Sequence, residues 1–190
     1  MTKRNKKNGG KQDIMNKMKF NIDINYNIYK RICYSAEFTR RQILNEVKDI
    51  IEKNNKIYEV NKIESRIKTY PSLIEKMKYR GYDLTLNGMI ENVNDIVGIR
   101  IVCDNVEEVY DIVNCIKEEK KFNIILEKDY INHPKKSGYM SYHIVLKEYM
   151  NLGKFVIPYK AEIQLRTNEM DEWARIAHDS TYKKITKIIS

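Results

Sequence analysis

Between Ile28 and Ile51 apolar residues recur near the helical period, at Ile32, Phe38, Ile43, Leu44, Val47, Ile50 and Ile51. This spacing predicts one long amphipathic helix from about Asn25 that ends at Lys53-Asn54-Asn55. Tyr58–Lys68 reads as extended. Pro71 suits the first turn of a second helix, with Leu73, Ile74 and Met77 on its buried side and Gly81 just past its end. Val97–Cys103 (VGIRIVC) has the apolar run of a buried strand, and Val106–Lys117 returns to helical spacing through Val109, Ile112, Val113 and Ile116. Three more strands are expected near Asn123–Ile131, Tyr139–Lys147 and Phe155–Arg166, with a basic loop, His133–Gly138, between two of them. Asp171–Ile185 closes as a helix. The order predicts an α/β (α+β) fold, a mixed sheet flanked by helices. No repeat or second domain is visible, so residues 13–190 are expected to form a single domain behind a disordered basic tail, 1–12.

Composition narrows the class. Hydrophobic residues are 42% and charged residues 32% of the 190, a globular balance. No run approaches the roughly 20 apolar residues that span a bilayer, and Asn16, Lys17 and Lys19 interrupt what would be a signal-peptide core. Cys33, Cys103 and Cys115 are odd in number and widely spaced, which argues against a disulfide framework or a zinc site. A reducing cytoplasm is the expected location. The net charge of +9 calls for an anionic partner. Lys3, Arg4, Lys6, Lys7 and Lys11 put five of those charges in the tail, where RNA is a candidate partner. The remaining +4 suits a nucleotide pocket as well as a polynucleotide surface.

Four segments could carry chemistry. In Lys160–Arg166 successive side chains alternate between faces, so Ala161, Ile163 and Leu165 form an apolar face opposite Lys160, Glu162, Gln164 and Arg166. A solvent-facing strand would give the same alternation. However, Tyr139, Ser141 and His143 also share a face and follow the basic loop directly. If the two polar faces coincide, a carboxylate, an amide, a guanidinium, an imidazole and an aromatic ring converge, as a charged aromatic ligand requires. Asp95, at the entry to the buried strand, could end the preceding turn or join Glu162 as a second oxygen ligand for a cation. Finally, Arg66, Lys68, Ser72, Lys76, Lys78 and Arg80 run from strand to helix, with Ser72, Lys76 and Arg80 four apart along one helix face. Such cations are commonly a solvated surface, but phosphoryl transfer needs several around a polyphosphate.

Ser65–Gly81 (SRIKTYPSLIEKMKYRG), Asn94–Val102 (NDIVGIRIV), Glu127–His143 (EKDYINHPKKSGYMSYH) and Ala161–His178 (AEIQLRTNEMDEWARIAH) together resemble the synthetase domain of the RelA/SpoT family in its short, single-domain form. The four occur in family order and cover most of residues 60–180. The resemblance implies a nucleotidyltransferase-like fold and a (p)ppGpp synthetase, which moves pyrophosphate from ATP to the 3′-hydroxyl of GDP or GTP, releases AMP and uses Mg²⁺. By position, Asp95 and Glu162 would hold the ion, and Glu162 would help activate the hydroxyl. Arg66, Lys68, Ser72, Lys76 and Arg80 fall where the family binds ATP. Tyr139 matches the aromatic that stacks on guanine, and Lys128, Lys135, His143, Gln164 and Arg166 match positions near the acceptor and its phosphates. Trp173 and His178 fit the closing helix.

The acceptor loop departs from the family pattern, with Ser137 and Met140 in place of an amide and a cation. Acceptor identity therefore stays open, the alternative being the tRNA 3′ end or adenine nucleotides, as in toxin-type small synthetases. A non-catalytic RNA-binding module is the rival from another class. It fits poorly with scattered aromatics and with carboxylates that would face phosphates. The hydrolase half of long family members needs a His-Asp metal site upstream, where this sequence has no histidine, so synthesis without hydrolysis is expected. Relatives form tetramers through C-terminal helices that are short or missing here, which leaves a homo-oligomer open. No membrane partner is expected.

Overall fold

The computed structural model describes residues 22–53, 60–153 and 155–177. Helix α1 (Tyr26–Lys53) buries Tyr29, Ile32, Ala36, Ile43, Val47, Ile50 and Ile51. Strand β1 (Val60–Ile67) leads into α2 (Tyr70–Tyr79), whose first turn is capped by the Thr69 side chain and carries Pro71. A short helix, α3 (Leu86–Asn92), precedes β2 (Val97–Cys103). Helix α4 (Val106–Glu118), β3 (Ile124–Asp129), β4 (Tyr142–Leu152) and β5 (Phe155–Thr167) follow. A helical run over 168–177, α5, leaves β5 directly.

The strands form one sheet in the order β1-β2-β5-β4-β3. Only β2 and β5 run parallel; the other pairs are antiparallel. The expected mixed sheet with flanking helices is therefore what the chain forms. Its apolar face is built from Ile99 and Ile101, Ile163 and Leu165, and Ile144 and Leu146, all buried. Helix α1 packs on β1, β2 and β4, and α4 packs on β2 and β5. Both contribute to the same hydrophobic core. Burying such a side chain is worth about 1.5–3 kcal/mol. A one-residue slip of β5 would exchange Ile163 and Leu165 for Glu162, Gln164 and Arg166, so the core fixes the register of the opposite, polar face.

Four features differ from the sequence reading. The buried stripe of α1 runs through Ile32, Ala36, Thr39 and Ile43, whereas Phe38 is 66% exposed. A 3.6-residue period passes through position 39, and the polar Thr39 hid it. Helix α3 was not foreseen, because it is seven residues long and contains Gly88. That glycine is needed for a close approach, since a Cβ there would lie 2.1 Å from the Asp83 carbonyl oxygen. Strand β4 starts at Tyr142, not Tyr139, because the preceding loop is held by its own hydrogen bonds. The closing helix begins at 168. The tail 1–12, His178 and the rest of the expected closing helix lie outside the described residues.

Candidate active site

Cross-strand partners point to the same face of a sheet, so the register lays out the polar face directly. One row runs Glu64, Arg100, Gln164, His143, Lys128 across all five strands. The next runs Arg66, Gly98, Glu162, Val145. The polar faces of β4 and β5 coincide as expected. His143, directly opposite Gln164, reaches the diagonal neighbour Glu162, with Nδ1 2.6 Å from Oε1. Both residues are buried. Burial pushes the Glu162 carboxyl up, but the hydrogen bond from His143 and the nearby Lys76 ammonium oppose it, and the carboxyl stays below its usual range.

Asp95 stands two residues before β2, and Val97, the first residue of that strand, pairs with Ala161 beside Glu162. The Lys68 Nζ lies 2.8 Å from Asp95 Oδ2 and the Lys76 Nζ 2.8 Å from Oδ1. Lys68 is buried, and its carbonyl accepts a 2.6 Å hydrogen bond from the Tyr29 hydroxyl on α1, which fixes the end of β1. Burial raises the Asp95 carboxyl, yet the two ammonium groups reverse this and bring it down to about 2. The Asp95 charge in turn raises Glu162, so the two acids lie within electrostatic reach of each other. Asp95 precedes β2 by two residues, and Glu162 pairs with Gly98, the second residue of that strand.

The loop between β3 and β4 presents Lys135. Asp129 accepts from the amides of Ile131 and Asn132 and from the Tyr110 hydroxyl, which anchors the start of the loop. The Tyr130 amide donates to the Ser141 carbonyl, closing its base. A turn follows in which Gly138 donates to the Lys135 carbonyl with φ of +84°. That left-handed value favours glycine, and a side chain there would press on Trp173 of α5. The turn sets Lys135 Nζ 4.3 Å from the centre of the Tyr130 ring and 4.5 Å from that of Tyr139. Burial lowers the Lys135 ammonium; Glu162 opposes this, while Lys128, Arg80 and Lys76 add to it. Lys135 therefore lies within electrostatic reach of Glu162, as does Lys76 of α2.

Tyr139 lies at the centre of a second set of contacts. Its hydroxyl is 2.8 Å from His143 Nε2 and accepts a 2.7 Å hydrogen bond from Arg166 Nη2. Arg166 also donates to Gln164 Oε1 and to Asp171 Oδ1. Ser141, which the alternation placed on the ligand face, is fully buried and donates to the Leu165 carbonyl, so it braces the strands instead. Ser72 hydrogen-bonds with the cap residue Thr69 at the start of α2. Arg66 and Arg80 are exposed.

A cavity of about 500 Å³ opens beside Asp95, lined by Glu64, Ser65, Arg66, Gly98, Arg100 and Gln164 among others. Sequence reasoning did not single out Arg100 or Asp171. Arg100 Nη1 lies 3.4 Å from Glu64 and 3.3 Å from Asp171, while its Nε is buried without a hydrogen-bond partner. Burial and the neighbouring Arg166 both lower its guanidinium. The alternation Gly98-Ile99-Arg100 did carry the signal, since an arginine inside an apolar strand must face something polar. Asp171 carried only the i,i+4 pair with Arg175 as a local signal, because its partners Arg166 and Arg100 are 5 and 71 residues away in sequence.

Among the described residues no group of three or more His, Cys, Asp or Glu could hold a metal. A cation here would therefore depend on Asp95 and Glu162 together with oxygen atoms from a ligand. No helix of the described residues is long and apolar enough to cross a membrane.

Comparison with known proteins gives a consistent result. Residues 65–187 match the family model described as a region found in RelA/SpoT proteins. The chain is 36% identical over 156 residues to the GTP pyrophosphokinase YwaC of Bacillus subtilis, covering 82% of this chain and 72% of that protein. It is 31% identical over 150 residues to the GTP pyrophosphokinase YjbM of the same organism, covering 75% and 70%. Among solved structures, it superposes on the small alarmone synthetase 2 of B. subtilis with a TM-score of 0.70 at 31% identity, covering 83% and 82%. The small alarmone synthetase 1 of B. subtilis bound to its product pppGpp gives 0.70 at 27%, covering 82% and 80%. The chain belongs to the RelA/SpoT family.

Proposed function

We propose that this chain is a GTP pyrophosphokinase that makes ppGpp and pppGpp, with ATP as donor and GDP or GTP as acceptor. One observation carries the reading: Asp95, at the entry to β2, and Glu162 of β5 lie in reach of each other, with Lys68 and Lys76 paired to Asp95 and Lys135 within electrostatic reach of Glu162. Acids beside a polyphosphate would repel it unless cations stand among them, and transfer between two crowded polyphosphates relies largely on such neutralisation. The names of the relatives favour a guanine nucleotide over tRNA or an adenine nucleotide as acceptor.

In this reading the donor lies over the cavity at β1 and β2, served by Arg66, Lys68, Ser72, Lys76 and Arg80. Gly98, between Arg66 and Glu162 in the row, leaves the floor without a side chain. The acceptor base lies on Tyr139, with Lys128, Lys135, His143, Gln164 and Arg166 around it. The 3′-hydroxyl oxygen bonds to the β-phosphorus of ATP as the bridge to the α-phosphate breaks, and AMP departs. Glu162 takes the hydroxyl proton, a role that suits a buried carboxylate held in its ionised form. Lysines and arginines bind the phosphates and hold donor and acceptor in line.

Asp95 and Glu162 fit Mg²⁺, which is typically held by one or two carboxylates plus substrate phosphates. Bound there, the ion would draw negative charge from the reacting phosphates. Incubation with γ-labelled ATP and a panel of GDP, GTP and tRNA, separated by chromatography, tests the proposal. Label should appear in a guanosine carrying a 3′-diphosphate. Label on tRNA alone would refute the acceptor assignment.

A further inference from the structure

Four polar side chains are joined in series across the sheet, with a donor-only guanidinium at one end and a carboxylate at the other. Arg166 can only donate, and its Nη2 reaches the Tyr139 oxygen at 2.7 Å. The phenolic proton then has His143 Nε2, 2.8 Å away, as an acceptor on another side of that oxygen. Ser141, the other hydroxyl near Arg166, gives its own proton to the Leu165 carbonyl. An Nε2 that accepts leaves the ring proton on Nδ1, which faces Glu162 Oε1 at 2.6 Å. A carboxylate oxygen is the acceptor that this proton requires. Edge-to-face packing of the imidazole holds the ring in place, at 5.2 Å from Tyr130 and 5.8 Å from Tyr139 between centres.

We propose that the Tyr139 hydroxyl is a positioning group for Glu162: it fixes the tautomer of His143, which in turn holds one oxygen of the carboxylate in place. The inference rests on the reading of Glu162 as the base and adds a second role to Tyr139. The ring carries the acceptor base, and the hydroxyl at its far end aims the group that will take the acceptor's proton. Gln164 and Asp171 extend the support, because they orient the Arg166 guanidinium that starts the series. A single residue thus couples acceptor seating to the geometry of the base.

Tyr139→Phe separates the two roles, because it keeps the ring and removes only the hydroxyl. Loss of an outer partner that orients a reacting group typically costs about 10- to 100-fold. We expect kcat to fall at least about tenfold while KM for GDP stays within about twofold. His143→Ala should fall as far, and the double variant no further, since the residues act as one series. An unchanged kcat in Tyr139→Phe would overturn the proposal, as would a raised KM at constant kcat. Nitrogen-15 NMR of the imidazoles gives a test independent of turnover. Wild type should show His143 protonated on Nδ1 and accepting at Nε2, and the opposite tautomer would overturn the proposal even in an active enzyme. Absence of transfer from wild type to any acceptor would instead refute the proposed function, with the NMR result still deciding the tautomer.

Discussion

The Lys76 ammonium lies 2.8 Å from Asp95 Oδ1, which ties helix α2 to the entry of the central strand β2. With Lys68 on the other oxygen, the carboxylate has a cation at each end and is itself only 13% exposed. The pair-bonded acid is thus a structural joint, and this shows in its response to pH. Its carboxyl sits at about 2 rather than the ordinary 3.8. A depressed carboxylate contributes stability above its unfolded value and loses it as pH falls through the folded one. The shift corresponds to about 2 kcal/mol, of which about half is gone by pH 3. The difference in stability between wild type and Asp95→Asn should therefore be constant above pH 5 and narrow below pH 4. Thermal melts of both proteins between pH 3 and 7 measure it, and a gap independent of pH would contradict the pairing.

Asp171 holds helix α5 to the sheet through Arg166 and Arg100. Arg166 is only 4% exposed. Asp171→Ala would leave that guanidinium without its ionic partner, a change that typically costs about 3–5 kcal/mol. Denaturant unfolding should show a loss of that order. Stability within about 0.5 kcal/mol of wild type would show that the helix is held by other contacts.

Gly88 packs against the Asp83 carbonyl, where an added methyl would lie 2.1 Å from oxygen. Gly88→Ala therefore forces backbone apart, at a cost of about 1–3 kcal/mol. A fall of roughly 2–4 °C in melting temperature per kcal/mol is expected for a chain of this size. Calorimetry showing no fall would mean that α3 moves freely.

Cys103 is fully buried, and burial together with Glu108 and Asp104 pushes its thiol up to about 12. The thiolate is the reactive species, so iodoacetamide at pH 8 should leave Cys103 unmodified in the native protein and modify it after unfolding. Mass spectrometry of peptides reads both states.

The sequence made the sheet legible because its strands are two-sided. Ala161, Ile163 and Leu165 alternate with Glu162, Gln164 and Arg166, and the alternation survives intact in β5. The pairing of that face with His143 was legible for the same reason. What could not be read was anything set by distant partners. Asp171 meets Arg100 across 71 positions, and Lys76 meets Asp95 across 19. Tyr139 reaches His143 and Arg166 without being in a strand, because loop hydrogen bonds, and not alternation, set its direction. Thr39 and Phe38 show the opposite failure, in which side-chain polarity pointed away from the true helical stripe.

The most direct test of the account is phosphorus-31 NMR of the product formed from ATP and GDP by wild type and by Glu162→Gln, each with Mg²⁺ and with a chelator. Wild type with Mg²⁺ should yield AMP and a guanosine diphosphorylated at both the 5′ and 3′ positions, while the variant and the chelated sample yield neither above background. Equal yield from Glu162→Gln, or product undiminished by the chelator, would contradict a reaction centred on these two acids.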